Sequence, residues 1–305
     1  MSLRNLLITI NEVFLGKILR VLLLSKSSKF RSMIYDALRA NKDTFYCVNT
    51  DSLKFLINLK DNVIGRSVFC TGEFDLKKII KVKSILAEEN INKNEITTLI
   101  DVGANIGTIC IPVVASKIFN NAVAIEPHPV NFQLLNANSH INDLQDKILT
   151  INKALGDLEN EELILEESPD NLGDNRVVRE NDMYCDKNRY IVESTTLDNI
   201  LQSINLDITS SLLWIDTQGY EGWVLKGACA ALSRKPALVL EFWPYGLSNA
   251  ESYEHLKLAI SHYDGFYDLS EKEPIFRDID YLDHLYNQIG FDEDLFTDIL
   301  VISHE

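Results

Sequence analysis

Positive charge, paired cysteines and long apolar runs are what this chain of 305 residues has little of. Lys and Arg number 29 against 45 Asp and Glu, a formal net charge of −16. Without a basic footprint to neutralise phosphates, the balance argues against a general nucleic-acid binder. The five cysteines (Cys47, Cys70, Cys110, Cys185 and Cys229) are odd in number, widely spaced and never in a C-x-x-C pair. That excludes a disulfide framework and a zinc knuckle, and it points to a reducing cytosol. The six histidines show no ligand spacing, so no metal site is expected. Hydrophobic residues make up 46% and charged residues 24%, which is ordinary globular usage and excludes disorder, collagen and a simple coiled coil.

The acidity is unevenly spread. Residues 1–42 carry eight basic and two acidic side chains, net +6, whereas residues 250–305 carry three basic and fourteen acidic ones, net −11. The basic start includes an apolar-rich stretch, residues 3–24, interrupted by Arg4, Glu12, Lys17 and Arg20. Charges so distributed exclude a spanning helix and a cleavable signal peptide. At helical spacing Leu3, Leu6, Leu7, Ile10, Phe14, Ile18 and Val21 share one face. Two readings of this amphipathic helix stand. Its apolar face packs on the domain or a partner subunit, or it lies in a membrane interface, helped by Lys26, Lys29 and Arg31. The protein is accordingly expected in the cytoplasm, with peripheral contact at the inner face of a membrane as the further option. The oligomeric state is not legible.

The organisation divides into an N-terminal helical extension (1–50), a lead-in of strand-like stretches at 53–59 and 63–69 followed by a helix at 75–88 (51–96), and a main domain (97–305). In the main domain, short apolar runs alternate with helical stretches. TTLIDVG, AVAIEP, KILTIN, SLLWID and PALVLEF read as buried strands, and ILVIS at 299–303 as a last strand. Such alternation predicts an α/β fold whose mostly parallel sheet is covered by helices on both faces. Residues 157–190 are polar and read as an insertion or substrate loop. In sheets of this kind ligands bind just beyond the carboxyl ends of the strands, so the residues there are the first candidates.

The strongest local signal is Asp101-Val102-Gly103-Ala104-Asn105-Ile106-Gly107, a strand entering a tight turn with a helix starting near the second glycine. Gly103 allows the turn and close approach of a ligand, and Gly107 allows close packing of the helix. Asn105 stands where a dinucleotide fingerprint needs its middle glycine, which weakens a reading as an NAD-dependent oxidoreductase. Asp101 ends the first strand, where a carboxylate suits a cationic amine. Glu126, nineteen residues after Gly107, ends the second strand and suits two ribose hydroxyls. Asp157 after the third strand is placed for an adenine amine. Acidic groups at successive strand ends fit S-adenosylmethionine (SAM) better than NAD, with the helix N-terminus receiving the carboxylate of the cofactor's amino acid end.

Six segments carry a family resemblance: DVGANIG (101–107), AIEPHPVNFQLLNAN (124–138), ALGD (154–157), STTLDNIL (194–201), WIDTQGYEGWVLKGA (214–228) and PALVLEFWP (236–244). Together they resemble the FkbM-type SAM-dependent methyltransferases, of the Rossmann-like seven-stranded class. The resemblance implies a seven-stranded sheet, SAM as cofactor, and O-methylation of a hydroxyl on a glycan or related natural product. The acceptor is therefore expected to be a small molecule or glycan and not nucleic acid; a non-catalytic SAM-fold interaction module is the alternative. Thr71-Gly72-Glu73-Phe74 resembles the family's stretch before the first strand, which makes Glu73 a cofactor candidate. Removing a hydroxyl proton during methyl transfer calls for a base. Asp216, Glu221 and Glu241 are the carboxylates grouped at that rim, with Asp216 first among them. A divalent ion is conceivable there on hard oxygen ligands, but none is predicted. Trp243, after Glu241, is a candidate sugar-stacking surface. His128 reads as a supporting group, and Asn171, Gly173 and Asn175 as a turn or a substrate loop.

Overall fold

The computed structural model describes residues 27–40, 44–72, 76–91, 96–178 and 188–304. The amphipathic stretch 3–24 and Glu73 lie outside the described residues. The chain divides into two compact units, residues 1–74 and 75–305.

In the first unit, helix α1 (Ser28–Ala40) precedes an antiparallel hairpin of β1 (Phe45–Asn49) and β2 (Lys54–Asn58), with Phe45 opposite Asn58. The hairpin turns where Thr50 Oγ1 accepts the amide of Leu53 at 3.0 Å. Helix α2 (Ile64–Thr71) follows. The apolar stretch at 63–69 read as a strand is thus helical. Asp61 Oδ1 accepts the amides of Val63 and Ile64 at 2.9 and 3.0 Å, meeting donors that a starting helix leaves unpaired. Val68 and Phe69 are then buried on one face with Tyr35 and Ile57.

The second unit opens with helix α3 (Leu76–Glu88) and contains a large sheet. Its strands, in chain order, are β3 (Thr98–Val102), β4 (Asn121–Ile125), β5 (Ile148–Ile151), β10 (Ser211–Ile215), β11 (Ala237–Phe242), β12 (Gly265–Asp268), β13 (Phe276–Asp278) and β14 (Thr297–Ile302). Across the sheet the order is β13-β12-β14-β11-β10-β3-β4-β5. Five neighbours from β11 to β5 pair in parallel, and β14 runs antiparallel to both of its neighbours. This is a Rossmann-like sheet; the expected seven strands are present, and β13 adds an eighth at one edge. Every residue of β3, β10, β11 and β14 is buried, so both faces are covered, as a parallel sheet requires. From β3 the chain runs outward through β4 and β5, then returns to place β10 on the other side of β3. The carboxyl ends of β3, β4 and β10 therefore surround a topological switch point, where such sheets bind ligands.

Helices α4 (Cys110–Ala115) and α5 (Pro129–Ile141) follow β3 and β4. Residues 157–190 are more than a loop. With their flanks they supply β7 (Glu162–Glu166), β8 (Arg176–Val178) and β9 (Arg189–Thr195), which join β6 (Ala154–Leu155) in a small sheet ordered β6-β9-β7-β8. After α6 (Leu197–Ile204) and β10 come α7 (Glu221–Lys226) and α8 (Cys229–Leu232). Beyond β11 lie α9 (Pro244–Asn249), α10 (Tyr253–Ile260) and α11 (Leu282–Ile289). One core cluster joins Val224 and Leu225 of α7 and Leu256 and Ile260 of α10 to the sheet residues Leu213, Ile215, Leu240 and Ile299. Among the described residues, no helix is long and apolar enough to cross a membrane.

Candidate cofactor and acceptor site

A groove with about 540 Å³ of open space lies at the switch point; Gly103, Asn105, Glu126, Asn131, Asp216 and Gln218 are among its walls. Gly103 turns at φ +86°, and a Cβ there would lie 1.8 Å from the Asp216 carbonyl oxygen. Only glycine brings the loops after β3 and β10 so close. Gly107 turns at φ +89°, with Ile111 and Leu135 where its Cβ would be.

Glu126 follows β4 and is 5% exposed. Its Oε2 accepts the amide of Asn105, and its Oε1 that of His128, both at 2.8 Å. Burial pushes its carboxyl up to about 7, although those two amides and neighbouring charges act on it as well. Each oxygen has further acceptor capacity, so the carboxylate can serve a pair of ligand hydroxyls. His128 is the N-cap of α5: its Nδ1 accepts the amide of Asn131 at 3.3 Å, and its Nε2 lies 3.2 Å from Glu167 Oε2. With Nδ1 accepting, the ring hydrogen belongs on Nε2 and points to Glu167. Burial lowers the His128 pKa, in keeping with a neutral ring. Tyr190, edge-on to His128 at 4.6 Å, also donates to Glu167 at 3.0 Å. The small sheet is thereby tied to the loop that carries Glu126.

A strap from the same insertion crosses the groove. Its Leu172 and Gly173 line the groove, and the Leu172 carbonyl receives the side-chain amides of Asn105, Asn131 and Asn175 at 3.1, 2.8 and 3.0 Å. Asn105 sits at φ +51°, a left-handed conformation that asparagine tolerates better than most residues. The residue in the place of the fingerprint glycine thus fastens the strap.

Across the groove, Asp216 follows β10. Gln218 Nε2 donates to Asp216 Oδ1 at 2.7 Å and to Glu241 Oε2 at 3.0 Å. Burial first, and then the charges of Asp216, Glu221 and Asp298, raise the Glu241 pKa well above the carboxylate range.

Of the residues singled out in the sequence, Gly103, Asn105, Glu126, Gly173, Asn175 and Asp216 meet at the groove. The others are placed differently. Asp101 lies beneath the wall, 1% exposed, and its Oδ2 accepts the amide of Cys110 at 3.2 Å; it meets a starting helix that lacks partners. Burial pushes its carboxyl up to about 7. Asp157 pairs with Lys226 at 2.7 Å and is not on the wall, where Leu155 is found instead. Glu221 is fully buried, and its Oε1 accepts the amides of Thr217 and Gly219 and the Thr217 hydroxyl. It braces the turn and does not face the groove. Trp243 is 4% exposed: Arg176 lies over its ring at 4.4 Å, and its indole donates to the Glu293 carbonyl. A sugar-stacking face is not available there. Sequence reading named the loop at 171–175 but missed Asn131 and the fastening at Leu172, because side chains far apart in the chain converge on one carbonyl and no local spacing records that.

The sheet order, the glycine turn and the carboxylates beyond β4 and β10 define the class: a Rossmann-like α/β protein with a nucleoside-type groove at its switch point. Residues 101–276, more than half the chain, match the family described as the methyltransferase FkbM domain, and the chain belongs to that family. No curated protein matches it in sequence. Among solved structures it is similar to the METTL16 MTase domain, at 13% identity and TM-score 0.46, covering 92% of this chain and 82% of that one. It is also similar to a human methyltransferase 10 domain containing protein (13% identity, TM-score 0.41, covering 90% and 95%). A third is M. jannaschii TYW2 in complex with AdoMet (13% identity, TM-score 0.38, covering 86% of each).

Proposed function

We propose that this protein is a SAM-dependent O-methyltransferase that acts on a hydroxyl of a glycan or a related natural product. The observation that carries the reading is the pairing of Glu126 and Asp216 on opposite walls of one groove at the switch point. The donor set fits the cofactor. Glu126 would hold the ribose through a hydroxyl, while the Gly103 turn and Asn105 would flank the amino acid end. When bound, the sulfonium supplies an electrophilic methyl group.

The chain's own part is alignment, exclusion of water and handling of one proton. The strap closes over the groove. Asp216 accepts the hydroxyl proton of the acceptor, held in place by Gln218. Glu241 stands behind it as a neutral acid, which avoids two adjacent negative charges. Residues 97–305 form the methyltransferase domain, and 157–190 its cover. For residues 3–24, packing of the apolar face on the domain or a partner subunit is the first reading and an anionic membrane surface the second; the second expects liposome co-sedimentation that deletion of 1–24 abolishes.

The hydroxyl acceptor is supported by the family and by the net charge of −16, which disfavours a polyanionic acceptor. The test is transfer of labelled methyl from SAM to glycans, lipid-linked sugars and RNA, with wild type and Asp216→Asn. We expect transfer to sugars that falls by about 100-fold or more in the variant, the typical contribution of a general base, with binding of S-adenosylhomocysteine (SAH) retained. Methylation of RNA alone overturns the acceptor, and binding of NAD without SAM overturns the cofactor.

A further inference from the structure

The carboxamide of Asn131 is only half used. Asn131 is the third residue of α5, is 1% exposed and lines the groove. Its Nδ2 donates to the strap carbonyl of Leu172 at 2.8 Å. Its Oδ1 is buried and meets no donor of the protein. An unsatisfied buried carbonyl oxygen costs about 1–3 kcal/mol, and native interiors hold few of them. Turning the amide over brings no relief, because it sets oxygen against the Leu172 carbonyl.

The groove's neighbouring side chains cannot supply the missing hydrogen. Glu126 presents oxygens that already accept amides. Asn105 gives its Nδ2 to Leu172 and takes the Ile106 amide on its Oδ1 at 2.7 Å. The hydrogen then comes from an ordered water or from a ligand in the groove, and a ligand whose hydroxyls face Glu126 carries such hydrogens. We infer that Asn131 is a cofactor-binding residue: Oδ1 accepts the hydrogen of one ribose hydroxyl of SAM while Glu126 accepts that of the other, and Nδ2 fastens the strap above it. One side chain then couples occupancy of the groove to closure of its cover. The inference rests on the SAM reading above.

The test is calorimetric titration of the full chain with SAH and with its 2′-deoxy and 3′-deoxy analogues. Wild type is expected to lose about tenfold in affinity when the hydroxyl that meets Asn131 is removed, the worth of one hydrogen bond. Asn131→Ala should bind SAH at least tenfold more weakly and lose its discrimination against that analogue. Asn131→Asp keeps an acceptor but gives up the strap donor, and Asn175→Ala gives up a strap bond but keeps Oδ1. Both should discriminate as wild type does. Thermal unfolding checks each variant, and Asn131→Leu replaces the alanine variant in the same cycle if that one does not fold. Unchanged discrimination against both analogues in Asn131→Ala, with SAH still bound, overturns this inference alone. Failure of SAH to bind wild type overturns the cofactor reading and this inference with it.

Discussion

Gln218 serves two carboxylates with one nitrogen, and its backbone is arranged for the purpose. It sits at φ +56°, followed by Gly219 at φ +99°. Glu221 closes this turn by accepting from Thr217 and Gly219, and Ser252 Oγ donates to the Gly219 carbonyl at 2.6 Å. The amide is therefore aimed by three neighbours, and its hydrogens fix Asp216 Oδ1 and Glu241 Oε2 as acceptors. Hydrogen bonds to charged groups are worth about 1.5–3 kcal/mol. Gln218→Ala should lower kcat roughly 10- to 100-fold with SAH affinity within about threefold of wild type. Steady-state kinetics with matched calorimetry will show this, and an unchanged kcat would remove Gln218 from the acid pair. A substitution at Gly103 acts differently. Ala there meets the Asp216 carbonyl and a left-handed φ at once, so both SAH binding and transfer should be lost, as a binding titration would report.

At the scale of elements, the turn that carries Asp216 and Gln218 depends on how α7 meets α10. Gly222, in the first turn of α7, faces the Ser252 carbonyl oxygen, which would be 1.9 Å from an added Cβ, and the amide of Leu256 at 2.9 Å. Both obstacles are backbone and cannot rotate away. Gly222→Ala should destabilise the fold by at least about 2 kcal/mol, the scale of overpacking in a core. Urea unfolding will measure it, and stability within about 0.5 kcal/mol of wild type would show that the helices part easily. The parallel strands were legible because runs such as TLIDV and SLLWI are apolar on both faces, and only a doubly covered strand needs that. The acids at their ends followed, since strand ends are where ligands bind. Two elements were not legible for local reasons. Asp61 makes 64–71 a helix by supplying a cap, although the apolar pattern of VIGRSVF suits a strand. The strands of 157–190 are short and only half covered, so polar residues hide them. The strap needs contacts between residues 105, 131 and 175, and no window of sequence holds them together.

At the scale of the whole molecule, acidity becomes a statement about pH. Burial raises the carboxyls of Asp101, Glu126 and Glu221 to about 7, and burial with the neighbouring acids raises that of Glu241 well above the carboxylate range. In the unfolded chain such groups titrate near 4. Between about pH 4.5 and 7 the folded chain therefore holds protons that the unfolded chain has released, and stability falls as pH rises through this window. His304 acts with the same sign: hydrogen bonds to Glu89 and Asp264 raise its pKa, so its contribution is full below the unfolded value and fades as pH rises through the folded one. Asp36, Glu89, Asp207, Asp264, Glu271 and Asp283 are held low, chiefly by their hydrogen bonds, and their stabilisation is lost only at more acid pH. The cofactor-free chain should thus melt at a lower temperature at pH 7.5 than at pH 5.5, both above the sequence pI of about 4.8. Hydroxyl donors on Glu126 favour its ionised form, so SAH binding near pH 6.5 should release a proton and strengthen as pH rises to about 7.5. Saturating SAH should accordingly raise the melting temperature more at pH 7.5 than at pH 5.5. Thermal scans with and without SAH at the two values test both steps. A cofactor-free chain more stable at pH 7.5 would mean that these acids are ionised in the folded state, and an SAH shift independent of pH would separate Glu126 from the ribose.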